Sequence, residues 1–419
     1  MIFLQHTKFL PAIFLALLVE FGCGGGYQPP SDGQQQPAHF AYVLNNNPIG
    51  SSASSTIRVS DDSIVRTESA GIRSASEVIS GDNASELFIA NAGDDSVTEY
   101  SLDTTPNPIK INLPVGAQPV ALASTTSSRV FTVNSGTTAG CPNAGGSVSV
   151  IDTAALAVVR TTCVGSSAYG RPSAIAQLPN GGKLYVIDSR VSISVLDPSG
   201  STVLSTISPG LDVSPWYPTS VTSSLDGNYV FVLDKTRLGG RPHYAGVWII
   251  TTSNDMVASL VGGGGHPDFS VLDTRLNRLY VTDDSSNTVS VFDASNVNVA
   301  NDPPMPTLAT VNVGSGPVGV TALPDGTKFY VANGGSNDVT VVDASSFEVL
   351  TTVTVGQGPA FIQSEPTSSK VYVADRGSSD LAIIGTSDDT ISAMINSPPQ
   401  DPTCTSGCPL QLPVMIITH

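Results

Sequence analysis

Nine basic and aromatic side chains gather in the three segments 169–171, 216–217 and 235–244: Tyr169, Arg171, Trp216, Tyr217, Lys235, Arg237, Arg241, His243 and Tyr244. The 419-residue chain holds only 18 Lys and Arg and 2 Trp, so this gathering departs from the rest of the composition. Guanidinium, ammonium and aromatic groups placed together are suited to recognition, because they donate to oxygen acceptors and offer large rigid contact faces. The competing reading is structural: long loops fold over one another, with Trp216 and Tyr217 as packing.

The overall charge narrows the partners. With 35 Asp and Glu the formal charge is -17, a sign that repels phosphate backbones and argues against nucleic acid. The acids are scattered through turn-like positions, as solvated turns require, and form no acidic tail.

The elements that must position these groups are strands. Charged residues are only 13% of the chain, while Gly is 39 and Pro is 30, a mix for short strands joined by tight turns. An aromatic, two aliphatic or small residues and a closing Asn or Asp recur eight times: Tyr42 to Asn45, Phe88 to Asn91, Phe131 to Asn134, Tyr185 to Asp188, Phe231 to Asp234, Tyr280 to Asp283, Tyr330 to Asn333 and Tyr372 to Asp375. Their aromatics lie 46, 43, 54, 46, 49, 50 and 42 residues apart. Most copies are followed by an alternating strand ending in Asp, such as Ser147 to Asp152 or Thr288 to Asp293, then by a strand ending in Val-Gly. A proline then opens an apolar segment, at Pro119, Pro172, Pro218, Pro267, Pro317 and Pro359.

From His39 onward this pattern resembles the YVTN-repeat, YncE-like bacterial propellers, most closely at Tyr330 to Asn333 and Val313 to Pro317. The resemblance implies an all-β propeller, and about 47 residues per repeat suits a four-stranded blade. Eight blades are expected, with seven plus one irregular repeat as the alternative. Labelled outward from the channel, strand A opens on the proline, B carries the aromatic, C ends in Asp and D ends in Val-Gly. The first repeat lacks an A strand, and the apolar tail Val414 to Thr418 is expected to supply it and close the ring. In this frame the B–C and D–A loops share one face, and the long ones belong to blades three to five. Asn134 to Val148, Asp234 to Val247, Gly165 to Pro172 and Gly210 to Pro218 take 14, 13, 7 and 8 residues, where other blades take 6 or 3. All nine recognition candidates fall on those loops.

Residues 1–22 read as a signal peptide, since the apolar run Phe9 to Val19 is too short to cross a bilayer. Gly22-Cys23 resembles the lipobox of bacterial lipoproteins, although Glu20 stands where that motif has an apolar residue. Cys23 is therefore the expected lipidation site, residues 23–38 a flexible tether and 39–419 a single propeller domain. The remaining cysteines are even in number and suit an oxidising compartment, with Cys141–Cys163 and Cys404–Cys408 as the expected bridges. Zinc is the weaker reading, because neither pair has Cys-x2-Cys spacing. The expected location is an exported, outer-membrane or periplasm-facing lipoprotein, or the cell surface, touching membrane only through its lipid.

The closing Asn and Asp residues invite a metal reading, but one in every repeat is better explained by turn capping. Lactone hydrolysis at the channel is the enzymatic alternative, and it needs a general base, often with a carboxylate-held metal. The A strands offer almost no ionisable group beyond Asp268 and Glu365, with His266 in a loop beside them. The sequence therefore favours a monomeric, cofactor-free and metal-free binding or scaffold protein over an enzyme, with a protein or glycan partner meeting blades three to five.

Overall fold

In a computed structural model the described residues are 2–5, 16–19, 40–46, 52–72, 75–80, 86–101, 110–125, 128–165, 170–179, 181–188, 192–208, 218–235, 245–262, 264–301, 303–396 and 412–418. They form eight four-stranded antiparallel sheets, each with its strands in the order A-B-C-D, arranged as the blades of a propeller. Among these residues there is no helix. A two-stranded ladder joins Ile2–Gln5 to Ala16–Val19, within the segment read as a signal peptide, and lies against the A strands of blades one to five.

Ring closure follows the expectation. The C-terminal strand Leu412–Thr418 pairs antiparallel with Phe40–Asn46, from Ala41 opposite Thr418 to Asn46 opposite Leu412. It becomes strand A of the first blade, so the two ends of the domain are held by one hydrogen-bonded ladder. The other A strands are Ala75–Ser80, Pro119–Thr125, Pro172–Gln177, Pro218–Ser223, Pro267–Asp273, Pro317–Ala322 and Pro359–Ser364. Proline suits the first residue of such a strand, where a missing N–H breaks no ladder bond.

The blades are held by apolar faces. Each strand alternates its side chains between the two neighbouring blades, so the core is a series of layers between blades. Phe131, Val133, Val148 and Val150 of blade three thus pack on Ile175, Leu184 and Val186 of blade four. Tyr330, Val339 and Val341 of blade seven meet Ile362, Val371 and Val373 of blade eight in the same way. The repeat aromatics Tyr185, Tyr280, Tyr330, Tyr372, Phe88, Phe131 and Phe231 are among the largest fully buried side chains. Each contributes roughly 2–3 kcal/mol through burial.

A second tie crosses from blade to blade on the face of the A–B and C–D turns. Lys183 Nζ and Tyr185 OH both donate to Asp255 Oδ1, at 2.8 and 2.7 Å, and Lys183 also reaches Thr252 O at 2.9 Å. Lys328 and Tyr330 repeat this on Asp389, at 2.9 and 2.5 Å to Oδ1, with Lys328 to Thr386 O at 2.9 Å. Lys370 donates to Asp62 Oδ1 and Val59 O, both at 2.6 Å, and so joins blade eight to blade one. Asp62, Asp255 and Asp389 occupy the left-handed region, with φ of 57, 55 and 55°, a conformation that Asp and Asn adopt most readily after Gly.

Two sets of bulges re-aim side chains. On the inner wall, pairing skips the second residue of seven A strands, Ser76, Val120, Ser173, Thr219, Asp268, Val318 and Ala360, and the third residue of the first blade's A strand, Val414. On the outer wall it skips a residue early in D: Val159, Leu204, Ala258, Leu308 and Leu350 in blades three to seven. These D strands are sheet edges, and Arg160 is the one charged residue among Ala157–Val164, Val203–Ile207, Met256–Gly262, Thr307–Asn312 and Val349–Thr354. Bulges that break the edge ladder do here what charged residues do in many other sheets.

Candidate functional site at the channel mouth

The B strands end on the face where the A strands begin, and their closing residues are all but fully buried: Asn91, Asn134, Asp188, Asp234, Asp283, Asn333 and Asp375. They do cap the turn, in two ways. The asparagines donate to strand C. Asn134 Nδ2 reaches Ser147 Oγ and Ser149 Oγ, both at 3.0 Å, and Asn333 Nδ2 reaches Asp338 Oδ1 and Thr340 Oγ1 at 2.7 and 2.9 Å. The aspartates accept. Asp283 takes the His266 N–H at 3.0 Å and the Ser285 and Ser286 N–H groups at 2.9 Å, and these bonds hold its carboxyl below the usual range despite burial. The Val-Gly glycine is explained by this packing: a Cβ on Gly314 would lie 2.5 Å from Asn333 Nδ2.

Lys235 is positioned by the capping residue before it. Asp234, at the end of Tyr229–Asp234, accepts the indole N–H of buried Trp248 at 3.1 Å, which fixes the point where the chain leaves blade five. From there Lys235 reaches blade six and forms an ion pair with Asp268. Both are well covered, the side chains being 19% and 10% exposed. Burial pushes the Lys235 amine down to about 8, with the carboxylate of Asp284 opposing that shift.

Asp268 is the A-strand bulge residue of blade six, and it is the only ionisable residue among the eight bulge positions. Next to it, His266 Nδ1 lies 2.5 Å from Asp284 Oδ1, while the backbone of His266 is held by both Asp283 and Asp284. The approach of this loop requires glycine: Gly264 has φ 101°, and a Cβ there would fall 1.8 Å from Asp283 Oδ2. The Lys235–Asp268 ion pair and the His266–Asp284 contact therefore stand at one sector of the mouth. Asp284 lies against His266 and also acts on the Lys235 ammonium.

Of the nine recognition candidates, Arg171 and Lys235 lie within the described residues; Tyr169, Trp216, Tyr217, Arg237, Arg241, His243 and Tyr244 lie outside them, as do Cys23, Cys404 and Cys408. Arg171 is exposed and donates to Gln118 Oε1 at 3.2 Å, tying the entry of blade four to the D–A turn before blade three. Cys141 and Cys163 are bonded, with Cα atoms 5.4 Å apart, and join the long B–C loop of blade three to the end of its D strand. Glu365 is engaged elsewhere. It accepts from the Thr367 N–H at 2.8 Å and the Thr367 hydroxyl at 2.7 Å, and from the Ser369 N–H, and so caps the A–B turn on the opposite face. In sequence His266 reads as a loop histidine, and nothing local gives Asp268 a partner. The Asp283-Asp284 doublet was the available signal, since the second acid is free to face the loop once the first caps the turn. Among the described residues, no group of three His, Cys, Asp or Glu could hold a metal ion.

No protein-family model matches the chain, and no curated protein matches it. Solved structures do. The dihydro-heme d1 dehydrogenase NirN is 12% identical with a TM-score of 0.69, over 92% of this chain and 76% of that one. AztD from Citrobacter koseri is 12% identical with a TM-score of 0.59, over 91% and 98%. The periplasmic gluconolactonase PpgL of Pseudomonas aeruginosa is 15% identical with a TM-score of 0.55, over 91% and 98%. At these identities the likeness is one of fold: the chain shares its propeller architecture with bacterial proteins of differing activities.

Proposed function

We propose that this chain is an exported, cell-envelope recognition propeller that binds a protein or glycan partner through the loop face of blades three to five and the adjoining channel mouth. The observation that carries this reading is the meeting of Lys235 and Asp268 there. Of the eight bulge residues that crown the channel, the single charged one lies in the sector next to the long loops. Residues 209–217 and 236–244, among them Trp216, Tyr217, Arg237, Arg241, His243 and Tyr244, stand in sequence between described strands whose ends meet that same face. Export rests on the signal-peptide pattern, on Gly22-Cys23 as a lipidation site and on a disulfide in the domain. The YVTN resemblance of the repeat belongs to this proposal too, resting on the repeat residues themselves. The test is a thermal-shift titration of the mature chain with cell-envelope glycans and peptidoglycan fragments. A rise in melting midpoint that disappears in Trp216→Ala and Arg241→Ala supports the reading; no rise with any fragment leaves only a protein partner.

A second reading has its own observation. His266 oriented by Asp284, beside the cation of Lys235, is a general-base arrangement next to an oxyanion-stabilising group. This suits hydrolysis of a lactone at the channel mouth. Turnover across a lactone panel, lost in His266→Gln, would favour it over recognition alone.

A further inference from the structure

We infer that Asp375 and Asp380 share one proton at neutral pH, so that the loop-face turn of blade eight is closed by a carboxyl–carboxylate hydrogen bond that alkali releases. The grounds are independent of ligand recognition and begin with a comparison between blades. In four blades the closing residue of strand B faces the first residue of strand C: Asn91 faces Ser96, Asn134 faces Ser147, Asn333 faces Asp338 and Asp375 faces Asp380. In blade seven the acid is met by an amide, and Asn333 Nδ2 donates to Asp338 Oδ1 at 2.7 Å and to Thr340 Oγ1 at 2.9 Å. Blade eight has an acid on both sides and Ala382 in the place of Thr340. Two ionised carboxylates have no donor to place between them.

The surroundings hold the two acids together. Both are buried. Asp375 Oδ2 accepts the Gly356 N–H at 3.0 Å, a task that falls to Thr340 Oγ1 for Gly314 in blade seven. Asp375 Oδ1 has no donor among the described residues, while Asp380 Oδ1 accepts from Ser378 Oγ at 3.0 Å. One glycine touches both: a Cβ on Gly356 would clash with Asp380 Oδ1 and lie 2.7 Å from Asp375 Cβ. The neighbouring elements supply no cation. Strands Pro359–Ser364, Thr390–Asn396 and Leu412–Thr418 contain no ionisable residue, nor do the turns 355–358 and 334–337. Arg376 of the B–C turn is exposed, and Lys370, at the far end of the B strand, is engaged with Asp62.

A proton supplies the missing donor. On Asp375 Oδ1 it makes the bond to Asp380 that an amide makes in blade seven, and Oδ2 still accepts from Gly356. Burial raises the Asp375 carboxyl to about 8, and the nearby Asp380 pushes it the same way. Above that range the proton passes to solvent, and two negative charges face each other where strands B and C meet the D–A turn. The folded pair holds a proton that an unfolded aspartate releases near pH ~4, so stability falls between about pH 4 and 8 and then levels off.

The experiment is infrared spectroscopy on the protein with its aspartates isotope-labelled at the side-chain carboxyl, paired with urea unfolding. The wild type should show a protonated-carboxyl band at about pH 7 that Asp375→Asn lacks and that fades by about pH 9. In Asp380→Asn the new amide donates to Asp375, so the band should be lost there too. Relative to Asp375→Asn, the wild-type folding constant should fall about tenfold per pH unit between roughly pH 5 and 8. Circular dichroism confirms that each variant is folded. No band separating the wild type from Asp375→Asn overturns the inference. A band that survives in Asp380→Asn also overturns it, because burial alone then holds the proton.

Discussion

Removing the carboxylate of Asp389 should open the joint between blades seven and eight. That oxygen pair accepts from Lys328 Nζ at 2.9 and 2.7 Å and from Tyr330 OH at 2.5 Å, while the lysine and aspartate side chains are only 21% and 11% exposed. In Asp389→Ala the fully buried Tyr330 hydroxyl loses its acceptor, and the Lys328 ammonium keeps only Thr386 O. A hydrogen bond to a charged group is worth about 1.5–3 kcal/mol, and breaking a buried pair about 3–5. Partial exposure of the lysine puts the loss at the lower end, about 3 kcal/mol. A further ~1 kcal/mol comes from holding alanine at a φ of 55°. Asp389→Asn keeps an acceptor and tolerates that backbone, so it should cost about half as much. Urea unfolding of both variants, and of Tyr330→Phe alone and combined with Asp389→Ala, gives the coupling directly. If Asp389→Ala costs under ~0.5 kcal/mol, or the two changes are simply additive, the joint does not hold the blades as argued.

Alkaline pH should unfold the domain through its buried phenols. Burial raises Tyr42 to about 12, and raises Tyr185, Tyr280, Tyr330 and Tyr372 further. Their folded values exceed the unfolded value near 10, so stability holds below pH 10 and falls above it by about 1.4 kcal/mol per tyrosine per pH unit. Phenolate absorbance should accordingly rise together with unfolding, and ionisation without unfolding would contradict this. Asp375 stands where blade seven has Asn333, and burial, with Asp380 nearby, raises its carboxyl to about 8. An aspartate raised in the folded state loses stability as pH climbs from about 4 to that value, so Asp375→Asn should stabilise at pH 7, on the order of 1–3 kcal/mol, and much less at pH 4. Reducing Cys141–Cys163, which closes a separation of 22 residues, should cost about 3 kcal/mol, seen as a lower melting midpoint under reductant. Leu308→Lys and Leu350→Lys, at exposed outer bulges, should change stability by less than ~0.5 kcal/mol.

The blade was legible because its signals are local. Each proline that opens an A strand, each aromatic of a B strand and each Val-Gly answers to backbone geometry or to packing within one repeat. The tail Leu412–Thr418 could be assigned by the same logic, as an apolar strand without a partner facing a blade that lacked one. What stayed hidden joins residues that only the ring brings together. Lys-x-Tyr recurs at Lys183, Lys328 and Lys370, but its aspartate sits in a turn of the next blade, 72, 61 and 308 residues away. Lys235 reads in sequence as a loop cation, yet it pairs with Asp268, because the bulge at Asp268 leaves no mark in the hydropathy of its strand. Arg171 lies beside the D–A turn, where its contact with Gln118 gives it a structural task.

The claim that recognition belongs to the loop face is best tested by hydrogen exchange on the protein with and without a bound envelope glycan. The account predicts added protection at the chain around Cys163 to Arg171, Asp234 to Gly246 and Gly264 to Asp268, with the C–D turns at Asp255 and Asp389 unchanged. Protection confined to those turns or to the outer D strands would contradict it.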